Sequence, residues 1–242
     1  VAHASTSHTC DFVIFVNGIP LALVAIGASN SKEGVTAGIT RLAHVRAALP
    51  KLFHTAQIFL SVQKNFSGAG AAGAREENFR SWEGLFPMTW DEVRSAIRLI
   101  PQRASELPTE QDLALVGVLS PRVLLDLFKN FMLFEHGTPR LAWSHQYHAV
   151  RKILDSAQSP GIIWHPGNSG KAYTLAWLVT QLRGSPAFAS SRLLLVTDCE
   201  KQRVLLRSVL RQQRLEPPVE ILETGMLESV LRHKHATTAL LP

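Results

Sequence analysis

Cysteine is scarce in this chain of 242 residues, since only Cys10 and Cys199 occur and they lie far apart. Their number and spacing exclude a disulfide framework and a zinc knuckle, and favour a reducing, cytoplasmic compartment. Long hydrophobic runs are also missing, because the longest, over 12–28, is interrupted by asparagine, glycine and proline and falls short of a membrane span. The N-terminus lacks the basic and apolar regions of a signal peptide. These absences predict a soluble protein.

Charged residues make up 18% of the chain and hydrophobic residues 46%, a composition that excludes a disordered tail or a coiled coil. The length allows one large domain or two small ones. The net charge of +6 is unevenly distributed, since residues 151–242 hold 12 basic and 7 acidic side chains. A polyanion such as DNA or ATP would therefore be attracted to the last part of the chain.

The first third of the chain predicts strands and a helix in α/β order. Asn17-Gly18 between two apolar runs indicates a β-hairpin, and because both runs are apolar on both faces we expect a covered sheet. Apolar residues at helical spacing predict a helix over 35–49, ended by the proline that follows. A further strand is predicted over 56–62. The Gly/Ala-rich segment 66–77 predicts a flexible loop.

The rest of the chain predicts helices followed by a βαβα unit. We expect a short helix at 91–99, a polar linker at 103–110, a helix from Pro121 through Glu135, and a helix at 145–156. The βαβα unit comprises a strand at 161–164, a helix at 171–182, a strand at 192–198 and a helix at 200–214. Because βαβ connections join parallel strands, this order predicts a parallel sheet.

The loop after the strand predicted at 161–164 reads HPGNSGKA, from His165 to Ala172. In a phosphate-binding P-loop, GxxxxGK[ST], backbone N–H groups surround the phosphates, the lysine reaches them and the hydroxyl holds Mg²⁺. The order of strand, loop, Gly-Lys pair and helix fits this pattern, and a helix N-terminus attracts anions. However, Ala172 stands where the hydroxyl belongs. An ordinary strand-to-helix turn with a Gly-Lys pair is the alternative.

Several short motifs, taken in order, resemble the motor (R) subunit of type I restriction enzymes. They are FMLFE (131–135), HQYHAV (145–150), GIIWH (161–165), SGK (169–171) and LVTD (195–198). The opening DFVIFVNGIPL (11–21) is similar to the nuclease stretch of the same family. The resemblance extends over essentially the whole chain, and its specificity lies in the order of the set.

The resemblance implies an α/β fold in three parts. These are a restriction-endonuclease-like domain of PD-(D/E)xK type over 1–118, a helical connector with a Q-motif-like segment over 119–158, and a partial RecA-like parallel sheet with a P-loop over 159–242. It also implies ATP-dependent translocation and cleavage of double-stranded DNA with Mg²⁺, and a cytoplasmic complex with methylation and specificity subunits, without a membrane.

For the nucleotide site, the resemblance implies that Gln146 recognises adenine. It places Gly167, Asn168, Ser169, Gly170, Lys171 and Ala172 on the phosphate loop. Asn168 stands where the family has glycine, and its side chain is expected to crowd the phosphates. Leu195–Asp198 matches the second helicase motif, with Cys199 in place of the usual arginine. No DEAD- or DEAH-like box follows Lys171, so we expect weak ATP binding and no turnover.

For the nuclease site, the resemblance places the first metal-binding acid at Asp11. The glutamate and lysine of the family motif fall on Ala25 and Gly27, and the glutamine and tyrosine of the next helix fall on Arg41 and Val45. A single carboxylate holds a catalytic Mg²⁺ poorly. We therefore expect no DNA cleavage, and a chain that corresponds to a truncated motor subunit with decayed active positions.

Weaker candidates each have a structural alternative. Arg203, Arg207 and Arg211 share one helix face, which suits either solvent or DNA phosphates. His145 and His148, and likewise His233 and His235, are expected to be structural or solvated rather than metal ligands. Trp164 is expected in the core rather than as a platform for bases.

Two other functions remain open at this point. The first is a non-catalytic module that binds DNA or another restriction subunit. The second is an unrelated nucleotide-binding protein with a modified P-loop. Separate measurements of nucleotide and DNA affinity distinguish the three possibilities.

Overall fold

The computed structural model describes residues 10–103, 107–156, 159–188, 190–197, 199–212, 219–220, 232 and 238–241. They form helices and strands in a mixed α/β arrangement. The chain divides into two compact units. The first unit comprises Val1–Met132 and Thr138–His145, and the second comprises Leu133–Gly137 and Gln146–Pro242.

A four-stranded mixed sheet forms the centre of the first unit. Its strands are β1 (Phe12–Val16), β2 (Ile19–Ile26), β3 (Ile58–Gln63) and β4 (Phe66–Ala71), in that spatial order. β2 and β3 are parallel, whereas the β1–β2 and β3–β4 pairs are antiparallel. Helix α1 (Lys32–Ala48) connects the two parallel strands, as a parallel pair requires.

The predicted hairpin is confirmed, but only one of its strands is covered. Asn17 and Gly18 have φ angles of 49° and 79°, the left-handed values that a tight hairpin turn of this type requires. β2 is buried from Leu21 to Ala25. In β1, by contrast, Phe12 and Phe15 are more than half exposed, so the expectation of a covered hairpin is wrong for that strand. β1 lies at the edge of the sheet, where fewer elements pack against it.

Helix α1 confirms the helix predicted over 35–49. The Ser31 hydroxyl caps its first turn by accepting a hydrogen bond from the Gly34 backbone N–H at 3.1 Å. Its apolar stripe, which includes Leu42 and Val45, is buried against the sheet. The helix ends before Pro50, whose ring is incompatible with a continuing helix.

The Gly/Ala-rich segment 66–77 is a buried strand over its first half rather than the predicted flexible loop. A Cβ atom on Gly68 would lie 2.9 Å from Val35 Cγ1, and one on Gly70 would lie 2.7 Å from the Phe79 ring. These glycines therefore allow α1 and Phe79 to approach the sheet closely. Their role is packing and not flexibility.

Three helices complete the first unit: α2 (Trp90–Arg98), α3 (Glu110–Leu119) and α4 (Pro121–Asn130). The short helix predicted at 91–99 is confirmed by α2. α3 was not predicted, and it begins at Glu110, within the segment interpreted as a linker. Thr109 and Asp112 form a capping box there, which is a local signal for a helix start.

The helix predicted from Pro121 through Glu135 is wrong beyond Asn130. The chain instead forms β5 (Met132–Glu135) and β6 (Thr138–Leu141), which pair in a two-stranded sheet. His136 and Gly137 connect them with φ angles of 49° and 79°. The Phe-rich sequence is apolar at the spacing of a helix and also at that of a strand, so periodicity alone cannot distinguish the two.

The second unit combines helices with a three-stranded parallel sheet. Its elements are α5 (Ser144–Asp155), α6 (Lys171–Gly184), β7 (Leu193–Val196), α7 (Glu200–Gln212), β8 (Val219–Glu220) and β9 (Thr238–Leu241). The strand order is β7-β9-β8, and both pairs are parallel. The predicted helices at 145–156, 171–182 and 200–212 are confirmed, while 213–214 lie outside the described residues.

The strand predicted at 161–164 is not a strand, because this segment has no regular structure. Ile162 and Trp164 are each 89% exposed, so the expected core position of Trp164 is also wrong. No described strand pairs with the segment. Without a neighbouring strand, the apolar run has no ladder of hydrogen bonds to stabilise an extended conformation.

Among the described residues, no helix combines the length and the apolar character needed to cross a bilayer.

Candidate functional site

The glycine-rich loop of the second unit lies directly before helix α6. Gly170 occupies the N-cap position of α6 with a φ of 75°, and Asn168 has a φ of 57°. Both values lie in the left-handed region, which glycine reaches freely and asparagine reaches more readily than other residues. Asn168 therefore adopts a conformation that asparagine reaches more readily than other non-glycine residues.

Lys171 is exposed, and its ammonium group is held by its own loop. The Nζ atom donates a hydrogen bond to the carbonyl oxygen of Pro166 at 2.8 Å. This contact keeps the positive charge on the loop, beside the first backbone N–H groups of α6. A phosphate group at the same place would meet the lysine and the helix N-terminus together.

Gln146 in helix α5 braces the loop from inside. Its side chain is 2% exposed, and its Nε2 atom donates to the carbonyl oxygens of Ser169 and Gly170, each at 3.2 Å. A Cβ atom on residue 170 would lie 2.6 Å from this Nε2 atom. The structure thus brings together the loop and the glutamine that the sequence assigned to one site, and it adds a direct contact between them.

The donor set for a Mg²⁺ ion is incomplete at this loop. Ala172 is 6% exposed in the first turn of α6, and its methyl group supplies no ligand. The hydroxyl of Thr174, two residues further along the helix, donates to the Gly170 carbonyl oxygen at 3.5 Å. The described residues contain no group of three or more His, Cys, Asp or Glu side chains able to hold a metal ion.

Tyr173 is a site residue that sequence reasoning missed. Its hydroxyl donates to the Glu135 carboxylate at 2.7 Å, which fixes the start of α6 to the end of β5. Glu135 ends the FMLFE motif, and Tyr173 lies two residues after the candidate lysine. The motif therefore contains one partner of this hydrogen bond, Glu135. The other partner, Tyr173, lies 38 residues away, so local patterns do not show that the two side chains meet.

The second helicase-like motif is only partly described. β7 ends at Val196, and Asp198 lies outside the described residues. Cys199 donates its backbone N–H to the Thr197 hydroxyl at 3.2 Å. This contact shapes the turn between β7 and α7.

The basic face of α7 is less uniform than its sequence indicates. Arg203 forms an ion pair with Glu200, and only 15% of its side chain is exposed. Arg207 is half-buried, whereas Arg211 is exposed. Leu206, Val209 and Leu210 are buried on the core side, as predicted. Only part of the three-arginine row is therefore open to a polyanion.

The candidate histidines have aromatic neighbours in the structure. The His145 ring centroid lies 5.7 Å from that of Trp143 in the first unit, and the His148 centroid lies 5.8 Å from that of Tyr147 in the second. These contacts agree with a structural role for both. His233 and His235 lie outside the described residues.

In the first unit, Asp11 forms a compact cluster with Arg41 and Ile26. The Asp11 carboxylate accepts a hydrogen bond from the Ile26 backbone N–H at 2.7 Å and forms an ion pair with Arg41. Arg41 also donates to the Ile26 carbonyl oxygen at 2.9 Å. The cluster joins the residue before β1, the end of β2 and the middle of α1.

The other nuclease-motif positions face packed protein. Ala25 is fully buried in the apolar core, and Val45 is 2% exposed in the same cluster. A Cβ atom on Gly27 would lie 1.8 Å from Gln63 Nε2 and 2.3 Å from the Gly34 carbonyl oxygen. The structure therefore brings the five motif positions to one region but leaves Asp11 as the only acid among them.

Comparisons with known proteins found a family model that matches the C-terminal part of the chain and relatives that match most of it. A family model described as SWI2/SNF2 ATPase matches residues 145–241, which include the loop, Gln146 and the α6–α7 segment. The type I restriction enzyme HindI endonuclease subunit of Haemophilus influenzae is 23% identical over 203 residues, which cover 78% of this chain and 18% of the relative.

Two archaeal proteins from Methanocaldococcus jannaschii show the same similarity. The putative type I restriction enzyme MjaIXP endonuclease subunit is 22% identical over 68% of this chain and 17% of its own length. The putative MjaVIIP endonuclease subunit is 22% identical over 69% of this chain and 16% of its own length. The chain is thus similar to endonuclease subunits of type I restriction enzymes, and it spans less than a fifth of the curated relatives it matches.

Proposed function

We propose that this chain is part of a type I restriction enzyme endonuclease (R) subunit, with a nucleotide-binding second unit and a first unit that does not cleave DNA. The observation that carries the proposal is the loop before α6, where Gly170, Lys171 and Gln146 come together. This loop lies within the segment similar to SWI2/SNF2 ATPases. Similarity to endonuclease subunits over 78% of the chain favours this family over an unrelated nucleotide-binding protein.

In the proposed site, the chain binds the phosphates of ATP or ADP through charge and backbone N–H groups. Lys171 leaves the Pro166 carbonyl oxygen and donates to a phosphate oxygen, which is a charge-assisted and stronger hydrogen bond. The N-terminus of α6 adds a partial positive charge. Gln146 keeps the loop in the conformation that presents these groups.

The same site is a poor catalyst for phosphoryl transfer. Mg²⁺, when bound with ATP, neutralises charge on the β- and γ-phosphates. The residues present do not fit a complete magnesium site, because Ala172 offers a methyl group where a hydroxyl ligand is needed. We therefore propose nucleotide binding without significant turnover.

For the first unit, we propose a restriction-endonuclease-like domain of PD-(D/E)xK type that serves as a scaffold. The parallel β2–α1–β3 connection and the antiparallel neighbours β1 and β4 support this proposal. The proposed partners are double-stranded DNA and the methylation and specificity subunits of a cytoplasmic restriction complex. Arg211 is the most exposed candidate for a DNA phosphate.

A second candidate function is a module that binds DNA or a restriction subunit and no nucleotide. The observation that favours it is the contact between Lys171 and its own loop, which a phosphate group must displace. In this case the loop is a structural turn. DNA binding would then survive the loss of Lys171.

Calorimetric titration with ADP and ATP tests the proposal. We expect a dissociation constant of about 0.1–1 mM, since a lysine and a helix N-terminus remain but the hydroxyl does not. Lys171→Ala should abolish the binding. Lys201→Ala is the matched control, because Lys201 is an exposed lysine of α7 in the same unit. Binding that is indifferent to Lys171→Ala, or no binding at millimolar nucleotide, contradicts the proposal.

A further inference from the structure

The Asp11 cluster is completed by protein atoms. The Asp11 side chain is 33% exposed and the Arg41 side chain 38%, so the pair lies at the protein surface but is not freely solvated. One carboxylate oxygen, Oδ2, receives both the Ile26 backbone N–H and the Arg41 guanidinium. Within the part of the chain that the structure describes, Arg41 is the cationic side chain that forms an ion pair with Asp11.

A divalent cation does not fit this arrangement. Mg²⁺ and Mn²⁺ need several oxygen ligands around one point, and two or more are usually carboxylates or carbonyl oxygens. Here the carbonyl oxygen of Ile26, whose N–H group binds Asp11, accepts a hydrogen bond from Arg41 at 2.9 Å. Two of the three oxygens of the cluster, Asp11 Oδ2 and the Ile26 carbonyl oxygen, thus accept hydrogen bonds from the same guanidinium.

The position of the family lysine is also filled. Gln63, 6% exposed at the end of β3, has its Nε2 atom 1.8 Å from where a Cβ atom on residue 27 would stand. The Gly34 carbonyl oxygen of α1 lies 2.3 Å from the same point. A side chain at position 27 would require the backbone of α1 to move.

We propose that Arg41 replaces the divalent cation as the permanent counter-ion of Asp11, so that this site is a metal-independent structural tie between β1, β2 and α1. This inference deepens the proposal that the first unit does not cleave DNA, and it rests on that proposal.

A double-mutant cycle with Asp11→Asn and Arg41→Gln tests the pairing. We expect each single variant to raise the unfolding equilibrium constant by about three- to fivefold, as for a partly exposed ion pair. The double variant should be no less stable than either single variant, since each change already removes the interaction. The matched control combines Asp11→Asn with Arg46→Gln, because Arg46 is an exposed arginine of the same helix; its effects should add.

Manganese supplies the second measurement. Thermal unfolding of the unaltered chain should be the same in EDTA and in about 5 mM Mn²⁺, because a ligand that does not bind the native state does not stabilise it. A Mn²⁺-dependent rise in melting temperature that Asp11→Asn abolishes would overturn the inference. So would a cycle in which the Asp11 and Arg41 effects simply add.

These outcomes are separate from those of the nucleotide experiment. The Asp11 cluster lies in the first unit and Lys171 in the second. If Lys171-dependent nucleotide binding is found while the cycle shows no coupling, only the counter-ion inference fails. If coupling is found without nucleotide binding, the nucleotide-binding proposal fails and Arg41 keeps its assigned role.

Discussion

Gln146 donates two hydrogen bonds to the loop before α6 through one nitrogen, Nε2, which lies 3.2 Å from the carbonyl oxygens of Ser169 and Gly170. A glutamine assigned by resemblance to adenine is thus a brace of the loop backbone. The Gln146 side chain is 2% exposed, so these contacts are shielded from water. The Gly170 carbonyl oxygen also accepts hydrogen bonds from the backbone N–H groups of Tyr173 and Thr174, at 3.0 and 3.2 Å.

Gln146→Glu should therefore destabilise the loop. The substitution keeps the size of the side chain but places carboxylate oxygens opposite two carbonyl oxygens, which repel them. We expect a loss of about 2 kcal/mol in the free energy of unfolding, because a buried side chain loses two hydrogen bonds and places a carboxylate against carbonyl oxygens. Urea denaturation measures it. Gln202→Glu, an equal change at an exposed position of α7, should alter stability by less than about 0.5 kcal/mol.

Gly170→Ala should destabilise the second unit through backbone strain and crowding. The φ of 75° costs a non-glycine residue about 1 kcal/mol, and the new Cβ atom would lie 2.6 Å from Gln146 Nε2. We expect a total loss of about 2–3 kcal/mol. Gly161→Ala is the control, because no atom lies within 4 Å of its Cβ position. Equal losses in the two variants would contradict the described loop geometry.

Gly27→Ala should destabilise the first unit strongly. Its Cβ atom would meet Gln63 Nε2 at 1.8 Å and the Gly34 carbonyl oxygen at 2.3 Å, and the second contact involves backbone that cannot rotate away. We expect a loss of about 3 kcal/mol, measured by urea denaturation. Shortening Gln63 to alanine in the same chain should recover only part of the loss, because the Gly34 contact remains. Full recovery would show that Gln63 alone closes the position.

The Asp112 carboxylate makes the stability of the first unit fall at acidic pH. Burial raises the pKa of Asp112. Hydrogen bonds from Arg103 and Thr109 together lower the pKa by more than burial raises it, so the pKa lies below its ordinary value. The unfolded chain therefore takes up this proton at a higher pH than the folded chain. The stabilisation is complete above the unfolded carboxyl pKa of about 3.9 and is lost as the pH falls through the folded value.

Asp112→Asn removes this contribution and tests it. At neutral pH the free energy of unfolding of the variant should be lower by about 2 kcal/mol, because Arg103 loses a charged partner whose side chain is only 7% exposed. Between about pH 5 and pH 2 the unaltered chain should lose more stability than the variant. Asp91→Asn, at an exposed position of α2, is the control and should leave the acid dependence unchanged. Parallel pH profiles for the unaltered chain and Asp112→Asn would contradict the assignment.

The elements that local sequence predicts correctly are those whose signals lie within a few residues. The Asn17-Gly18 turn, the Ser31 cap and the proline after α1 act on the adjacent backbone, and the structure confirms the hairpin and the helix. The same holds for α6 and α7, whose apolar residues recur at helical spacing.

The errors have a different physical origin. The local flexibility of glycine predicts a loop where β4 lies, yet Gly68 and Gly70 allow Val35 and Phe79 to approach the sheet. The apolar run 161–164 predicts a strand, yet no described strand pairs with it. A strand is stabilised by a neighbour distant in sequence, and local patterns carry no record of that neighbour.

The sequence by itself determined the Asn17-Gly18 turn, the end of α1 before Pro50, the composition of the loop before α6, and the identities of Ala25 and Gly27. Each is either a property of adjacent residues or the plain identity of a side chain. Only the tertiary structure decided that Arg41 pairs with Asp11 across 30 residues and that Gln146 braces a loop 24 residues away. Ion pairs and hydrogen bonds act over a few ångströms, so their partners are known only when folding has brought the elements together.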